Sequence, residues 1–488
     1  MSQDTTSTLS GLASFEILEG LLAARRMEGS PEAMMTFEAF EVALGHAVRG
    51  VENELKAADL AHYDVDADVV MVDGQEWRQC LANQPKTYLS ASGPITVSRH
   101  LYRPAGGGKS ICPLELRAGI IGGLHTPVLA RQVAFLMGHM TSQDTSQVFT
   151  ELGIVGPSSS TCDRLPKRLS LIWETHRAEW EDALREQEWV AAEAAVVGVS
   201  LDGVMVPDKD SQREAKVKRE SAKAAGLSKS LSGPAGYREV GCGTVTLYDN
   251  EANRLDTVRY GRAPEYKKKT LTEQLDAELE SILAIRPDLE VVAIADGAED
   301  NWRYFDRPLY SGATRIVDHG HASEHLRAAM TAYYGDKSVE GQAEYARLRL
   351  LLRDQPGGVR KVIKELGRLS RKLGGSRRKP RRKRLNCELT YFTNQRERMD
   401  YADYQARGLP IGSGVVEAAC KTLATQRLKR SGMSWRGGKQ AMLTIRSLQQ
   451  SHRWSAAWTL LSAHFRVPVL VVRKRGHLRE LTPVRMAA

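Results

Sequence analysis

The sequence predicts an α/β fold in which helices flank a mixed β-sheet and an α-rich region precedes that sheet. Three observations lead to this prediction. Short runs rich in β-branched residues recur between residues 196 and 317 in the order βββαβαβ. Before residue 170, apolar residues recur instead at helical spacing. Two of the buried strand patterns end at an aspartate, and open α/β sheets hold their ligands at such strand ends.

Residues 1–125 are predicted to form a helical and hairpin region. Apolar residues at helical spacing indicate an amphipathic helix over 33–62. Two β-rich runs on either side of Ser-Gly-Pro indicate a hairpin over 86–102. Three glycines at 106–108 mark a flexible loop rather than a phosphate cradle, because no GK[ST] context follows a strand there.

Residues 126–193 are predicted to form a helix-turn-helix-like unit and a connecting helix. Helical patterns over 142–152 and 158–169 are joined by a short glycine-containing turn, an arrangement that suits a DNA reader. An inert packing module is the alternative. The second helix carries three cations that could contact DNA: Arg164, Lys167 and Arg168. Residues 170–193 are expected to form a long exposed helix.

Strand patterns dominate the next segment. Buried-type strands are predicted over 196–201 and 289–295, and they end at Asp202 and Asp296. A polar, lysine-rich stretch at 208–232 follows the first of them. The remaining predicted elements are strands over 239–247, 256–260 and 314–317 and a helix over 271–283.

Residues 336–390 are predicted to be a helical, charged insertion that interrupts the sheet pattern. Within it, seven of the eight residues in 377–384 are basic, which favours a solvated loop and also suits phosphate contacts. Helical patterns return over 391–406 and from about 414 to 451. Residues 456–488 are expected to form a basic C-terminal tail.

The composition narrows the class of protein. A net charge of +10 favours a polyanionic partner, although solubility alone is the simpler explanation. The six cysteines form no C-x-x-C pair, which argues against a zinc knuckle and gives no disulfide framework. The sequence has no visible signal peptide and no apolar stretch of membrane-spanning length. A cytoplasmic protein without a membrane partner is therefore expected.

Three carboxylates are the candidate catalytic and metal-binding residues: Asp202, Asp296 and Glu417. Taken singly, each has a structural explanation, because Asp-Gly is a common turn and Glu is favoured near a helix start. Taken together, they would repel one another unless a cation lies between them. Oxygen ligands from separate elements suit hard divalent cations. We expect Mg²⁺, with Mn²⁺ as an alternative.

A histidine-rich segment follows the last predicted strand. Asp318 and His321 are expected to support the metal site or to contact DNA. The pattern His319-x-His321, with His325 four residues further on, could instead suggest zinc. It lacks the spacing of a recognised zinc signature, so His325 is expected simply to pack.

The stretch after Glu417 is the strongest signal for nucleic-acid binding. No acidic residue occurs between Ala418 and Arg446, and a tryptophan lies among the cations. Phosphate contacts and stacking on an unpaired base would both be available there. A tryptophan that anchors the core is the alternative. The expected DNA-binding residues are Lys421, Arg427, Lys429, Arg430, Trp435 and Arg436.

These motifs resemble DDE-type transposases of bacterial insertion sequences, and the ISKra branch is the closest match. The resemblance runs over about 70–460 and is most specific in 409–435, with Gly-Ser-Gly-Val-Val-Glu417 followed by Arg-x-Lys-Arg-Ser-Gly-Met-x-Trp435. It implies an RNase H-like catalytic domain over 194–335 and 391–455, interrupted by the insertion. It also implies that Asp202, Asp296 and Glu417 are the metal-binding triad. Unlike relatives with a cysteine-rich turn after the hairpin, this chain has only Cys112 there.

The resemblance implies a DNA transposase that cuts transposon ends and joins the 3′-OH to target DNA by two-metal-ion chemistry. Its partners would be double-stranded terminal inverted repeats, target DNA and further copies of the chain, in the bacterial cytoplasm at the nucleoid. A catalytically inactive, domesticated DNA-binding derivative is the main alternative. A metal hydrolase that uses Asp318 and His321 on a small substrate is a third, but it leaves the cationic segment unexplained.

Overall fold

The computed structural model describes residues 12–187, 189–224, 236–374, 379–431, 433, 435–475 and 478–483. The chain divides into two compact units. The first unit consists of the described residues within Met1–Trp180 and Ser455–Ala488, and the second of those within Glu181–Trp454. None of the helices in the described part is both long enough and apolar enough to cross a membrane.

The helices and strands are numbered here in chain order. The helices are α1 (Ala13–Arg26), α2 (Phe37–Ala61), α3 (Pro113–Ala118), α4 (Pro127–His139), α5 (Ser142–Glu151), α6 (Ser159–Thr175), α7 (Arg177–Arg185), α8 (Lys209–Ala224), α9 (Lys269–Ile285), α10 (Glu299–Phe305), α11 (His319–Tyr334), α12 (Val339–Asp354), α13 (Gly358–Lys372), α14 (Lys379–Gln395), α15 (Tyr401–Ala406), α16 (Gly414–Ala419), α17 (Gln426–Leu428), α18 (Lys439–Gln450) and α19 (Trp454–His464). The strands are β1 (Val69–Val72), β2 (Gln75–Ser90), β3 (Gly93–Pro104), β4 (Val196–Pro207), β5 (Tyr237–Tyr248), β6 (Arg254–Arg262), β7 (Glu290–Ala295), β8 (Thr314–Val317), β9 (Leu470–Arg475) and β10 (Leu478–Pro483).

The first unit is built on an antiparallel sheet with the strand order β10-β9-β1-β2-β3. The predicted hairpin is confirmed and is longer than expected, because β2 and β3 pair from Trp77–Pro104 to Ser90–Gly93. Its core includes Tyr88 and Tyr102, both fully buried. The segment 456–488 was predicted to be a tail, but its described part contains most of α19 and strands of this sheet.

Helices α4, α5 and α6 of the first unit pack against one another, and the predicted helix pair is confirmed as secondary structure. The hydroxyl of Thr141 and the carboxylate of Asp144 form a reciprocal capping box that begins α5. The long exposed helix predicted over 170–193 is wrong. A break separates α6 from α7, residues 189–195 are not helical, and Trp173 is buried.

The second unit contains a mixed sheet with the strand order β6-β5-β4-β7-β8. The pairs β4–β5 and β5–β6 are antiparallel, and β4–β7 and β7–β8 are parallel. Helix α9 lies close against β5, because a Cβ at Gly243 would be only 2.8 Å from Leu275 Cδ1. The prediction of an α/β fold with a mixed sheet flanked by helices is therefore confirmed.

The insertion predicted over 336–390 is helical in its described residues and consists of α12, α13 and most of α14. Its apolar faces join the core of the second unit through buried leucines such as Leu352 and Leu366. The expected loop over 377–384 is wrong for Lys379–Arg384, which begin α14. Arg377 and Arg378 lie outside the described residues.

Three further predictions in the second unit are corrected. Strand β4 does not end at Asp202 but continues to Pro207, paired with β5 throughout. The polar stretch at 208–232 begins with helix α8, and its residues 225–232 lie outside the described residues. The continuous helix expected from about 414 to 451 is divided into α16, a π-helical turn at Cys420–Thr425, α17 and α18.

Candidate metal centre

Two aspartates lie at the same end of two neighbouring parallel strands of the second unit's sheet, one within its strand and one just after it. Ser200 on β4 pairs with Ile294 on β7. Each partner is followed two residues later by an aspartate, Asp202 within β4 and Asp296 just after β7. Side chains two residues apart along a strand point to the same face, and neighbouring strands lie about 4.8 Å apart. The register therefore brings the backbones of the two predicted residues side by side.

A third aspartate extends the same row. Ala295 pairs with Val317 on β8, and the backbone N–H of Asp318 donates to the Ala295 carbonyl at 2.9 Å. Asp318 thus follows β8 as Asp296 follows β7. It is buried and caps the start of α11, where its Oδ1 accepts from the His321 backbone N–H at 2.6 Å. This cap turns His321 toward the strand ends.

Glu417 reaches the row from α16. The backbone N–H of Ser413 donates to Asp318 Oδ2, and the Ser413 hydroxyl donates to Glu417 Oε1 at 3.1 Å. One serine therefore connects the buried aspartate with the partly exposed glutamate. The ligand atoms of Asp318, His321 and Glu417 all lie within 4.8 Å of one another, with His321 Nε2 3.8 Å from Glu417 Oε1. We call these three residues the metal cluster.

The helix that carries Glu417 also contacts Asp202. The Cys420 thiol donates to Asp202 Oδ2 at 3.6 Å, and Glu417 and Cys420 lie three residues apart, on one helical face. Cys242 is the residue of β5 that pairs with Asp202. A hydrogen bond with the Cys242 thiol, followed by burial, raises the pKa of Cys420. The thiol therefore stays protonated and remains a donor to the carboxylate.

The π-helical turn at Cys420–Thr425 begins immediately after α16. Such turns are rare, and they frequently occur at functional sites, because the extra residue re-aims the side chains that follow. Here the turn lies between Glu417 and the cationic segment. It contains both Cys420, which faces Asp202, and the exposed Lys421.

Asp296 is held by its own loop and approached by α14. Its Oδ1 accepts from the backbone N–H of Ala298 at 3.0 Å and from Asn301 Nδ2 at 2.8 Å. The ring of Tyr391 lies against the next residue, Gly297, where any Cβ would overlap ring atom Cε2. Gln395, one turn further along α14, donates to the Gly297 carbonyl at 3.1 Å.

The Tyr391 hydroxyl is an unusual polar group at this edge of the sheet. It is shielded from solvent and has no hydrogen-bond partner among the described residues. Burial raises its pKa, and the nearby charges of Asp296 and Asp318 raise it further. The ring stacks on His325 with centroids 3.6 Å apart, and His325 Nδ1 lies 2.7 Å from Glu388 Oε2. The Tyr391 hydroxyl therefore stays protonated near the charges of Asp296 and Asp318.

The geometry groups the predicted site residues differently from the sequence. Asp318 and His321, predicted to support the site, belong with Glu417 to the cluster whose ligand atoms converge. Asp202 and Asp296 lie along the same sheet edge but outside that cluster of described residues. The contacts of Ser413, Tyr391 and Cys420 were not anticipated, because no sequence spacing reveals a tertiary contact. Only Ser413 had a signal, since it belongs to the Gly-Ser-Gly motif before Glu417.

The three histidines of the possible zinc motif do not converge. His319 is buried against the Tyr401 ring, and burial lowers its pKa. His325 packs on Tyr391, as expected. Only His321 joins a group of described residues with metal-ligand spacing, and its partners there are two carboxylates. Such a donor set suits a hard cation better than a structural zinc.

Two of the predicted DNA-binding residues are buried or engaged in the second unit. Arg427 is only 2% exposed, and its guanidinium lies 5.3 Å from the ring centroid of Trp435. The indole Nε1 donates to the Leu428 carbonyl at 3.0 Å. Arg427 and Trp435 stack together and hold this loop, which fits the core-anchor alternative. Trp435 is only half-buried, and contact of these two residues with DNA remains a prediction.

The other predicted DNA-binding residues lie at the surface of their units. In the second unit, Lys421, Lys429, Arg430 and Arg436 are exposed, and Arg436 lies 3.5 Å from Asp210. In the first unit, the exposed cations of α6 are Arg164, Lys167 and Arg168. Lys167 forms an ion pair of 2.6 Å with Asp163 one turn earlier. Their contact with DNA remains a prediction.

Comparison of the chain with protein families and with curated proteins finds no match.

Proposed function

We propose that this chain is a DNA transposase that cleaves transposon ends and joins the resulting 3′-OH to target DNA. The convergence of a strand-end aspartate, His321 and Glu417 at one sheet edge is the observation that carries the proposal. The strand order β6-β5-β4-β7-β8, with three antiparallel strands followed by two parallel ones, fits an RNase H-like domain. A helical insertion before the glutamate fits the same class.

The donor set fits Mg²⁺, with Mn²⁺ as a second candidate. Asp318 and Glu417 offer carboxylate oxygens, and Asp202 and Asp296 lie on the neighbouring strands. His321 adds an imidazole nitrogen. Divalent cations bound there would lower the pKa of water and neutralise charge on the scissile phosphate.

The protein itself would hold the side chains of the site in fixed orientations. Asp318 is fixed by two backbone N–H donors, from His321 and Ser413, so its carboxylate keeps one direction. Glu417 is 51% exposed and can face a substrate. The Tyr391 hydroxyl, buried near the charges of Asp296 and Asp318, stays neutral and adds no charge to the site. Asp318 is therefore the fixed, buried carboxylate and Glu417 the exposed one. This arrangement suits a surface to which a polymer can bind.

The proposed partners follow from charge and from the resemblance. Double-stranded DNA with terminal inverted repeats would bind through the exposed cations after Glu417 and on α6. Joining two transposon ends needs more than one active site, so a homo-oligomer on DNA is proposed. The site of action would be the bacterial cytoplasm, at the nucleoid.

The first test removes carboxylates one at a time. Asp202→Ala, Asp318→Asn and Glu417→Gln are each expected to reduce Mg²⁺-dependent strand cleavage of a duplex transposon end by more than ~100-fold, since outer-shell changes alone cost 10–100-fold. Binding of the same duplex in EDTA should persist. Asp300→Asn, an exposed residue of α10, is the matched control and should cleave normally.

Three outcomes of this test distinguish the possible metal sites and the inactive alternative. Mg²⁺-dependent cleavage retained in both Asp318→Asn and Glu417→Gln would show that these residues do not form a catalytic metal centre. Cleavage lost in Asp318→Asn but retained in Asp202→Ala would place the metal with the cluster alone. Duplex binding without cleavage by the unmodified chain, in both Mg²⁺ and Mn²⁺, would favour the catalytically inactive DNA-binding alternative.

A further inference from the structure

One strongly cationic segment of this chain lies in the helical insertion, apart from the cationic segment after Glu417. Residues 355–384 contain thirteen Lys and Arg residues and one acidic residue, Glu365, which gives the segment a net charge of +12. The whole chain carries +10, so the remaining residues together carry −2. The insertion therefore attracts a polyanion more strongly than the chain average does.

A groove of about 1180 Å³ runs between α11, α12 and α14. We call it the insertion groove. Its cations are Arg327, Arg349, Arg381 and Arg384. A shallower depression meets it at Cys387 on the other side of α14, and its cations are Lys379, Arg382 and Lys383. The first turns of α14 thus present positive charge on both sides.

The insertion groove runs beside the metal cluster, although none of the three cluster residues lines it. Gly320 and Glu324 line it, and both lie within two turns of Asp318 at the start of α11. Arg349 lies near His319, whose pKa is lowered by burial and then by this guanidinium. A strand lying in the groove would therefore pass beside His321, whose Nδ1 lies 3.8 Å from the groove residue Glu324.

Two of the four groove arginines already have structural partners. Arg381 donates to two backbone carbonyls at the C-terminal end of α11, and Arg327 lies 4.5 Å from the ring centroid of Tyr345. Arg349 and Arg384 differ from them. Both are exposed, and neither forms a hydrogen bond or an ion pair with any residue that the structure describes. The guanidinium N–H donors of Arg349 and Arg384 are therefore all available to a ligand.

The acidic residues of the insertion groove do not neutralise these two arginines. Glu388 is engaged by His325, with Nδ1 2.7 Å from Oε2. Glu324 lies at the metal end, 3.8 Å from His321 Nδ1, and Asp336 completes the carboxylates of the lining. A planar guanidinium binds a phosphate through two parallel N–H donors, so free arginines in a concave groove favour phosphate.

We propose that the insertion groove binds the phosphodiester backbone of one nucleic-acid strand and guides that strand into the metal cluster. Arg349 and Arg384 contact the phosphates of this strand. Arg327 and Arg381 stabilise the helices that line the groove. This inference rests on the proposed function, since it assigns a path to the substrate of that site. Phosphate binding would then take place along the insertion, and strand cleavage would take place at the sheet edge.

The test is the salt dependence of binding in EDTA, where no cleavage occurs. The probes are a fluorescent 30-nucleotide thymidine oligomer and a duplex of the same length. Each phosphate contact contributes about 0.7 to the slope of log K against log salt for a single strand and about 0.9 for a duplex. The double variant Arg349→Ala/Arg384→Ala should therefore lower the slope by about 1.4 or about 1.8.

Two control variants make the test specific. Arg349→Lys/Arg384→Lys keeps both charges and should keep the slope. Arg254→Ala removes an exposed cation of β6 at the opposite end of the sheet, where β5 pairs with the start of β4, and should leave the slope unchanged. Thermal melting of every variant checks that each is folded.

The results separate this inference from the proposed function. An unchanged slope in the double alanine variant, or an equal change in Arg254→Ala, overturns the insertion groove even if the protein cleaves DNA. A lowered slope in a protein that never cleaves supports the groove and counts against the transposase. A change seen only with the single strand assigns an unpaired strand to the groove, and a change with both probes assigns one strand of a duplex.

Discussion

Tyr391 links the insertion to two of the strand-end aspartates. Its ring occupies the space that a side chain at position 297 would need, so Gly297 and Tyr391 must be considered together. Its hydroxyl is buried without a partner among the described residues, and leaving such a group unsatisfied costs about 1–3 kcal/mol. A structure retains that cost where the hydroxyl serves a ligand, and here the neighbouring groups are Asp296 and Asp318.

This view predicts an unusual result for Tyr391→Phe. The variant keeps the ring stacked on His325 and removes only the unpartnered hydroxyl. In EDTA, we expect the free energy of unfolding of the second unit to stay unchanged or to rise by about 1 kcal/mol, measured by urea titration.

Tyr401→Phe is the matched control, because the Tyr401 hydroxyl donates to the Val317 carbonyl at 2.8 Å. Its removal should destabilise the second unit by about 1–3 kcal/mol. A loss in Tyr391→Phe as large as the loss in Tyr401→Phe would show that the Tyr391 hydroxyl has a structural partner, contrary to this view.

The candidate site could be predicted in part from local sequence. Aspartates after buried strands and a glutamate at a helix start are local patterns, and they led to Asp202, Asp296 and Glu417. The row of aspartates, in contrast, depends on strand register, which local sequence does not specify. The stacking of Arg427 on Trp435 could not be predicted from local sequence, because a cation beside an aromatic ring suits both nucleic-acid binding and internal stacking.

At the scale of elements, a buried ion pair joins helix α9 to the end of the second unit. Glu278 on α9 is fully buried, and its Oε1 accepts from Arg453 Nη2 at 2.5 Å. The Tyr260 hydroxyl on β6 donates to Glu278 Oε2 at 2.6 Å and accepts from Arg453 Nη1 at 2.9 Å. The buried guanidinium of Arg185 lies 4.0 Å from the same Glu278 oxygen, Oε2, and adds a second, more distant cation. Burial together with the Glu278 charge raises the pKa of Tyr260.

Breaking this network from one side should be costly. Arg453→Met leaves the buried Glu278 charge with only the more distant Arg185 guanidinium, so we expect a loss of about 3 kcal/mol in the free energy of unfolding of the second unit. The double variant Arg453→Met/Glu278→Leu removes this ion pair, leaves Arg185 paired with Asp182, and should recover much of that loss. Urea unfolding of both variants checks this, and no recovery in the double variant would contradict the electrostatic explanation.

Elements with a clear periodicity could be predicted, and those without one could not. Strands β7 and β8 are short, apolar and bounded by turn residues, and their predicted limits agree with the structure within one residue. Strand β4 was ended too early because Asp-Gly is a common turn, although β5 pairs with all of residues 202–207 and Val206 is fully buried. Helix α8 was missed because it is almost wholly polar and shows no apolar stripe.

At the scale of the whole molecule, the two units have separate cores. The large cluster that includes Val199, Leu275 and Leu366 belongs to the second unit. The clusters around Tyr88 and Tyr102 belong to the first. No single sequence pattern divides the chain in this way, because residues from both ends contribute to the first unit.

Separate cores predict more than one cooperative unfolding transition in calorimetry. Tyr102→Phe tests the first unit, because this buried hydroxyl donates to the Val65 carbonyl at 2.8 Å and accepts from the Ala67 N–H at 3.1 Å. Losing both bonds should cost about 1–3 kcal/mol and lower one transition only. Arg453→Met should lower the other. A single transition that falls equally with either substitution would show that the two cores unfold together.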